Sequence, residues 1–360
     1  MIRTYTYKLY KNKRTEAKFN HWLGICRYVY NAAKETKDVS YKEGLKLSAY
    51  DLNKQLTEAK KALPWIADVN AQTLQGVIFQ LDTSYQNFFS KRAKYPKWAS
   101  KKTWKSFGFT QKVKQTGTGF KLPKFGKVKV FNNRKIDGTI KTARLIKKAD
   151  GIYLNVVAEV TDKTYCTNEN QVGIDMGIKY FVVTSNGEFI ENPKFLTKHL
   201  KKLRIEQRKL IRKYKQNTKV QSNNYYRQAN VVERLHKKVA DARKDFLHKQ
   251  STYLAKEYNT VYHEDLKITN MVKSNLSRHI SDVSWGTFFG MLKYKTKVVR
   301  VNPAYTSQTC SCCGHVAKEN RLTQSIFKCV SCGHEENADL NAAQNILKLG
   351  ASSVGVNAVH

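Results

Sequence analysis

A chain of 360 residues can bury a sizeable core and divide into more than one domain. Its 65 Lys and Arg against 28 Asp and Glu leave a formal charge of +37, and self-repulsion on that scale points to a polyanionic partner, nucleic acid before an anionic membrane surface. No stretch approaches the roughly 18 uninterrupted apolar residues of a spanning helix, which argues against an integral membrane protein and against a membrane partner.

Met1–Tyr10 (MIRTYTYKLY) alternates in polarity like a strand, with Tyr5, Tyr7 and Leu9 on one face, and carries no apolar signal region. A helical period follows through Phe19, Trp22, Leu23, Cys26, Val29, Tyr30 and Ala33. Further amphipathic helices are predicted around Ala49–Leu63 and Asn70–Phe89, divided at Leu63-Pro64, so residues 11–90 read as a small helical module. From Lys91 to Lys148 the character changes: nineteen Lys or Arg meet one acid, Asp137. Tyr95, Trp98, Trp104, Phe107, Phe109, Phe120, Phe125 and Phe131 are interleaved among them, and short apolar runs broken by Gly and Pro indicate a β-rich module. Thr139–Lys148 and Ile152–Val160 read as a hairpin about Asp150-Gly151. Many of the aromatics belong in a core, whereas unpaired buried cations are too costly. The exterior is then a phosphate-binding surface, on which any exposed aromatics could stack on bases.

From Gln171 the pattern turns α/β. Val172–Asp175 and Tyr180–Thr184 are strand-like, followed by a Ser185-Asn186-Gly187 turn and a third short strand. A long helical region runs from Thr197 to about Tyr258. Ala229, Val232, Leu235, Val239, Ala242 and Phe246 keep near-heptad spacing there, one face of a helical hairpin that packs on itself or on the sheet. Between Thr197 and Lys249 seventeen cations meet four acids, a bias larger than a solvated face needs, so a nucleic-acid backbone is the expected neighbour. Thr260–Asp265 and Thr296–Val301 read as two more strands and Ala338–Leu349 as a closing helix.

Five of the seven cysteines fall between Cys310 and Cys332. An odd count with paired spacing fits metal binding in a reducing compartment, hence the cytoplasm, better than a disulfide framework. Cys310 and Cys313 are separated from Cys329 and Cys332 by fifteen residues, the spacing of a four-thiolate site for one structural Zn²⁺. Gly314 and Gly333 follow the second cysteine of each pair, where a tight knuckle needs a permissive backbone. Cys312 is out of register, and His315 and His334 are alternate ligands that four cysteines make unnecessary. Arg321, inside the loop, could reach a phosphate but reads first as a solvated arginine. Cys26 and Cys166 are isolated and read as buried apolar thiols.

Three carboxylates stand where regular structure would hold them rigid. Asp175 ends a buried strand, Glu264 ends another after Val261-Tyr262-His263, and Asp339 begins the helix that leaves the cysteine loop. Phosphodiester hydrolysis benefits from two Mg²⁺ ions about 4 Å apart, and Mg²⁺ prefers carboxylate and water oxygens. Each acid alone has a plainer reading. Asp265 competes with Glu264, although alternation turns it to the opposite face, and Asp339 could serve only the helix macrodipole.

The motifs VGIDMGIKYFVVTSNG, HEDLKITNM, NPAYTSQTCSCCG and CVSCGHEENADLNAAQNI, in that order, resemble the C-terminal half of the TnpB family. These are the OrfB-type products of insertion sequences, relatives of the type V CRISPR effectors. CRYVYNAAKE resembles the family's helical opening. The resemblance covers nearly the whole chain and is strongest from Val172 to Leu347. It implies an α/β multidomain fold: a wedge-like β-barrel (residues 1–10 and 91–165), a helical recognition module (11–90), an RNase H-like (RuvC) nuclease core (170–308 and 334–350) with an inserted zinc ribbon (309–333), and a C-terminal tail (351–360). It also implies that Asp175, Glu264 and Asp339 bind two catalytic Mg²⁺ ions.

The implied activity is RNA-guided cleavage of double-stranded DNA beside a short transposon-adjacent motif. The partners would be a guide RNA from the transposon end and the DNA target, with no small-molecule substrate, in a prokaryotic cytoplasm and at the nucleoid when bound to DNA. Base pairing would read the sequence and the protein the motif. One departure is Asn337-Ala338 before Asp339, where many members have an acid and an arginine. Loss of an acid would favour a guide-directed repressor that does not cut; none is lost. A guide-independent nuclease or transposase is the other alternative.

Overall fold

The computed structural model describes residues 1–132, 134–161, 165, 166, 168–218, 220–267, 271 and 277–356. Two compact units divide the chain, Met1–Asp162 and Lys163–His360. Among the described residues no helix is long and apolar enough to cross a membrane.

In the first unit β1 (Ile2–Lys8) leads into three helices, α1 (Lys13–Lys42), α2 (Ala49–Ala62) and α3 (Ala71–Phe89). Their starts follow from local chemistry. Asn12 caps α1, Ser48 and Asp51 form a capping box on α2, and Asn70 caps α3, each supplying an oxygen to backbone N–H groups that no helix carbonyl can reach. Pro64 opens a short 3-10 turn, Pro64–Asp68, at the predicted break. Six strands follow: β2 (Ser106–Phe109), β3 (Lys114–Thr116), β4 (Gly119–Leu122), β5 (Gly126–Lys129), β6 (Gly138–Lys148) and β7 (Gly151–Val160). They form two antiparallel sheets, β1-β7-β6-β2 and β3-β4-β5, with a single bridge from Leu9 to Val130 beyond the ends of β1 and β5. The β6–β7 turn falls at the predicted Asp150-Gly151, and Gly151 takes φ 144°, a conformation that L side chains resist.

One core serves helices and strands alike: Phe19 and Trp22 of α1 pack their rings on Phe107 at 5.2 and 5.7 Å. Trp104, Phe107, Phe109, Phe120 and Phe125 are buried, whereas Tyr95, Trp98 and Phe131 stay exposed. Aromatics of the basic segment therefore divide between core and surface. Cys26 is buried as predicted, and burial pushes its thiol up to about 12.

The second unit holds β8 (Gln171–Asp175), β9 (Tyr180–Thr184), β10 (Phe189–Glu191), α4 (Phe195–Arg212), α5 (Asn223–Glu257), β11 (Thr260–Glu264), α6 (Ser277–Val283), α7 (Trp285–Leu292), β12 (Lys297–Val301), β13 (Ile326–Lys328), β14 (Glu335–Asn337) and α8 (Ala338–Val356). The main sheet has the order β10-β9-β8-β11-β12, antiparallel through β8 and parallel from β8 to β12. Alternation along its strands assigns the two faces. Val172, Ile174 and Val261 face one core with Leu247 and Leu254 of α5 and Phe288 and Leu292 of α7. Gly173 and Tyr262 point the other way, to α8: a Cβ at Gly173 would sit 2.2 Å from the Ala343 carbonyl, and one at Gly350 2.0 Å from the Tyr262 ring.

The predicted hairpin is present as α4 and α5, latched by Gln228 Nε2 on Glu206 Oε2 at 2.6 Å, with Val232 and Val239 buried on the predicted face.

Two expectations meet a different outcome. Cys166 is half-buried, and its Sγ lies 2.7 Å from the Asn168 side-chain oxygen, a polar contact in place of the apolar burial expected. Residues 351–356, read as a tail, continue α8; residues 357–360 lie outside the described residues. Of HEDLKITNM, Ile268, Thr269 and Asn270 also lie outside them.

Candidate active site

Each cysteine pair sits on a tight knuckle. Cys310 N–H donates to the His315 carbonyl and Gly314 N–H to the Cys310 carbonyl, and the pattern repeats from Cys329 to His334 and from Gly333 to Cys329. Gly314 and Gly333 take φ 78° and 74°, the left-handed geometry anticipated for them. Sγ atoms of Cys310, Cys313, Cys329 and Cys332 all lie within 4.8 Å of one another, with 3.7 Å between Cys310 and Cys332 and 3.5 Å between Cys313 and Cys329. A tetrahedral ion with Zn–S bonds of about 2.3 Å requires sulfurs about 3.8 Å apart, so the cluster could bind zinc. Cys312 is exposed outside the cluster, and His334 faces Glu336 at 3.6 Å.

The carboxylates converge for a reason visible in strand parity. Asp175 and Glu264 end neighbouring parallel strands, each two residues beyond a position that faces α8, Gly173 and Tyr262 respectively. Asp339 lies in the first turn of α8, whose N–H groups at Asp339 and Leu340 are accepted by Asn337 Oδ1 at 2.9 and 3.3 Å. Asn337, half of the departure noted in the sequence, is therefore the cap of the helix that presents the third acid. All three acids line one cleft of about 360 Å³, together with Lys179, Thr306 and Arg321. Asp265 turns away and pairs with Arg300 at 3.1 Å.

Electrostatics mark the cleft as short of positive charge. Burial, then Glu264 and Asp339, push Asp175 up to about 7 against the backbone N–H of Met176 and Arg321. Burial also raises Glu264 and Asp339; Thr306 and Arg321 oppose it at the first, Arg321 and Lys179 at the second. Three hard oxygen donors line the cleft partly out of water, each resisting ionisation, a donor set of the kind that could hold a divalent cation.

Arg321 corrects the sequence reading. Its guanidinium lies 3.8 Å from Asp339, donates to the Gln324 carbonyl at 3.1 Å, and faces all three acids, so it is a cleft residue and not simply solvated. Lys179 and Thr306 were not singled out in the sequence. Lys179 stands four residues after Asp175, a spacing that carries information only once the strand end is known to open on the cleft.

This arrangement is a mixed sheet with acids at its parallel strand ends, completed by a helix that leaves a four-cysteine ribbon. The chain is similar to known proteins along its length. Residues 155–275 match the OrfB family of IS605-type elements, described as "Probable transposase", residues 285–346 the Cas12f1-like TNB domain, and residues 1–46 a helix-turn-helix domain. Those last residues hold β1 and the single long helix α1, not two helices. "Putative RNA-guided DNA endonuclease InsQ" of Escherichia coli (strain K12) is 34% identical over 97% of this chain and 92% of its own length. A "Putative RNA-guided DNA endonuclease" of Streptomyces pristinaespiralis is 32% identical over 98% and 90%. Cas12f1 of Sulfoacidibacillus thermotolerans, a CRISPR-associated endodeoxyribonuclease, is 39% identical over 32% of this chain and 29% of its own. A solved Cas12f1–sgRNA–target DNA complex has a chain of similar fold, with TM-score 0.57 at 13% identity over 96% of this chain and 98% of that one. The chain belongs to the TnpB family.

Proposed function

We propose that this chain is an RNA-guided DNA endonuclease of a transposable element, cleaving double-stranded DNA next to a short transposon-adjacent motif. The observation that carries the reading is the convergence of Asp175, Glu264 and Asp339 on one cleft in a chain of charge +37. Relatives along nearly its full length are named putative RNA-guided DNA endonucleases.

In this reading the second unit is an RNase H-like (RuvC) core, supported by three antiparallel strands continued by two parallel ones, with the zinc ribbon inserted before α8. The two antiparallel sheets of the first unit would form the wedge-like β-barrel and α1–α3 the recognition module. Two Mg²⁺ ions, when bound, would supply activation of the attacking water and stabilisation of the leaving oxygen. Asp175, Glu264 and Asp339 would hold them, and Arg321 and Lys179 would balance the acids and attract the scissile phosphate. A guide RNA from the transposon end would pair with the target while lysine and arginine hold the backbones.

The test is Mg²⁺-dependent cutting of a plasmid library by the complex purified with its flanking RNA. The plasmids carry a guide-matched or mismatched target beside randomised bases. Cutting of the matched target alone is expected. Asp175→Ala should keep its RNA and lose more than the roughly 10–100-fold that follows from removing a residue that merely orients a ligand. Matched DNA bound but uncut by the unaltered protein would indicate a repressor, and equal cutting of both targets a guide-independent nuclease.

A further inference from the structure

Thr306 lies buried in the segment after β12, and its hydroxyl donates to Glu264 Oε1. Its Oγ is also 3.1 Å from the Pro303 carbonyl. With one proton to give, it favours the carboxylate, since a charged acceptor makes the stronger bond.

The segment is held from α8. Asn345 Nδ2 donates to the carbonyls of Thr306 and Thr309 at 2.9 and 2.7 Å. Asn341 Nδ2 donates to the Thr309 carbonyl at 2.8 Å, while its Oδ1 accepts Ser311 N–H at 2.8 Å. Lys348 Nζ adds a bond to the Ser311 carbonyl. Both asparagines are buried, 0% and 4% exposed. Buried amides are costly unless bonded, so two on one helix, each donating to carbonyls of the segment, fix the segment they grip. That segment includes Cys310, the first thiol of the cluster.

We propose that Thr306 is a positioning residue for Glu264: α8 carries Asp339 directly and, through Asn341 and Asn345 gripping Thr306–Ser311, also sets the orientation of the second acid. The hydroxyl engages one carboxylate oxygen and the other is the one offered to a cation. The cysteine cluster anchors the far end of the same segment, so the ribbon serves the cleft as a brace. This inference rests on the reading of Glu264 as a metal ligand.

Thr306→Val removes the hydroxyl and keeps the shape; Thr306→Ser restores it. Both are compared with the unaltered full chain for Mn²⁺ affinity, read by the electron paramagnetic resonance of the unbound ion, and for the Mg²⁺ half-saturation of cleavage in the RNA complex. Measurements are made well below the lower melting temperature, where a loss of stability alone leaves metal affinity unchanged. The valine should weaken Mn²⁺ binding and raise the Mg²⁺ requirement about 10-fold or more, the size of effect seen when an orienting partner of a ligand is lost. The serine should stay within about threefold of the unaltered chain, since it keeps that partner. A valine variant with unchanged Mn²⁺ affinity overturns the proposal, as does a serine variant that fails to recover it. Glu264→Gln separates the two readings. If it binds Mn²⁺ and cleaves like the unaltered chain, the ligand assignment itself has failed; if it is impaired while Thr306→Val is not, only the role of Thr306 has.

Discussion

The four thiols and the three carboxylates of the second unit reach their places by different routes. Cys310, Cys313, Cys329 and Cys332 come from one short stretch, and two knuckles with the same backbone hydrogen bonds bring them within 4.8 Å. Asp175, Glu264 and Asp339 come from two strand ends and a helix start, and they face one another only because β8 and β11 run parallel and α8 crosses the face to which Gly173 and Tyr262 point. A local motif can carry a metal site in its spacing. An acid-lined cleft has to be assembled by packing, and its geometry inherits whatever sets that packing.

The comparison can be broken first at the thiols. Cys329→Ser should abolish stoichiometric zinc in the purified chain and lower the melting of the second unit. Structural zinc in small peptides is worth an apparent ~10–16 kcal/mol, which sets the ceiling for the loss. Since Arg321 lies between the cysteine pairs, cleavage should fall as well. Unchanged metal content and unchanged melting would remove the cluster from the argument.

A smaller effect tests whether packing assembles the acids. Gly173→Ala adds a methyl that would lie 2.2 Å from the Ala343 carbonyl and 2.6 Å from the Leu347 backbone nitrogen, so α8 must shift away from β8. Overpacking of this kind costs about 1–3 kcal/mol. Denaturant unfolding should show that loss, and cleavage should drop further than stability does because Asp339 moves with the helix. A drop no larger than an equally destabilising substitution elsewhere would mean that the cleft tolerates the shift.

A third test, read across pH, sharpens the electrostatic side. Asp175 is pushed from 3.8 up to about 7 in the metal-free fold. The folded chain therefore binds the extra proton across that window, and its contribution to stability is lost as pH rises from about 4 through 7. Metal-free melting of the unaltered protein should decline across that range relative to Asp175→Asn. Arg321 favours the ionised acids, so Arg321→Gln should extend the decline to higher pH and make Mg²⁺ compete with a proton at pH values where the unaltered cleft is already ionised. Coincident pH profiles for the unaltered and Arg321→Gln chains would show that the guanidinium does not act on the acids.

Much of this was legible in the residues. The break at Pro64, the Asp150-Gly151 hairpin and the cysteine knuckles are all set by neighbours within a few positions, and the sequence marks each of them; the caps at Asn12, Ser48 and Asn70 are as local but emerged only with the fold. Parity along a strand was enough to turn Asp265 away from Glu264. Charge was equally plain, because 65 cations against 28 acids need no fold to be counted. Arg321 was not legible. It stands in a polar loop like any solvated arginine, and only the return of the ribbon to the head of α8 brings it 3.8 Å from Asp339. Nor was Thr306, whose hydroxyl is aimed by two asparagines more than thirty residues further along the chain. Which aromatics of the basic segment are buried was also decided in three dimensions, since Phe107 and Phe125 meet Trp22 of α1 while Trp98 does not. Sequence by itself determined the pieces whose hydrogen bonds and backbone angles are local. Tertiary structure alone decided the contacts between pieces, because burial and electrostatic coupling depend on distance in space and not along the chain.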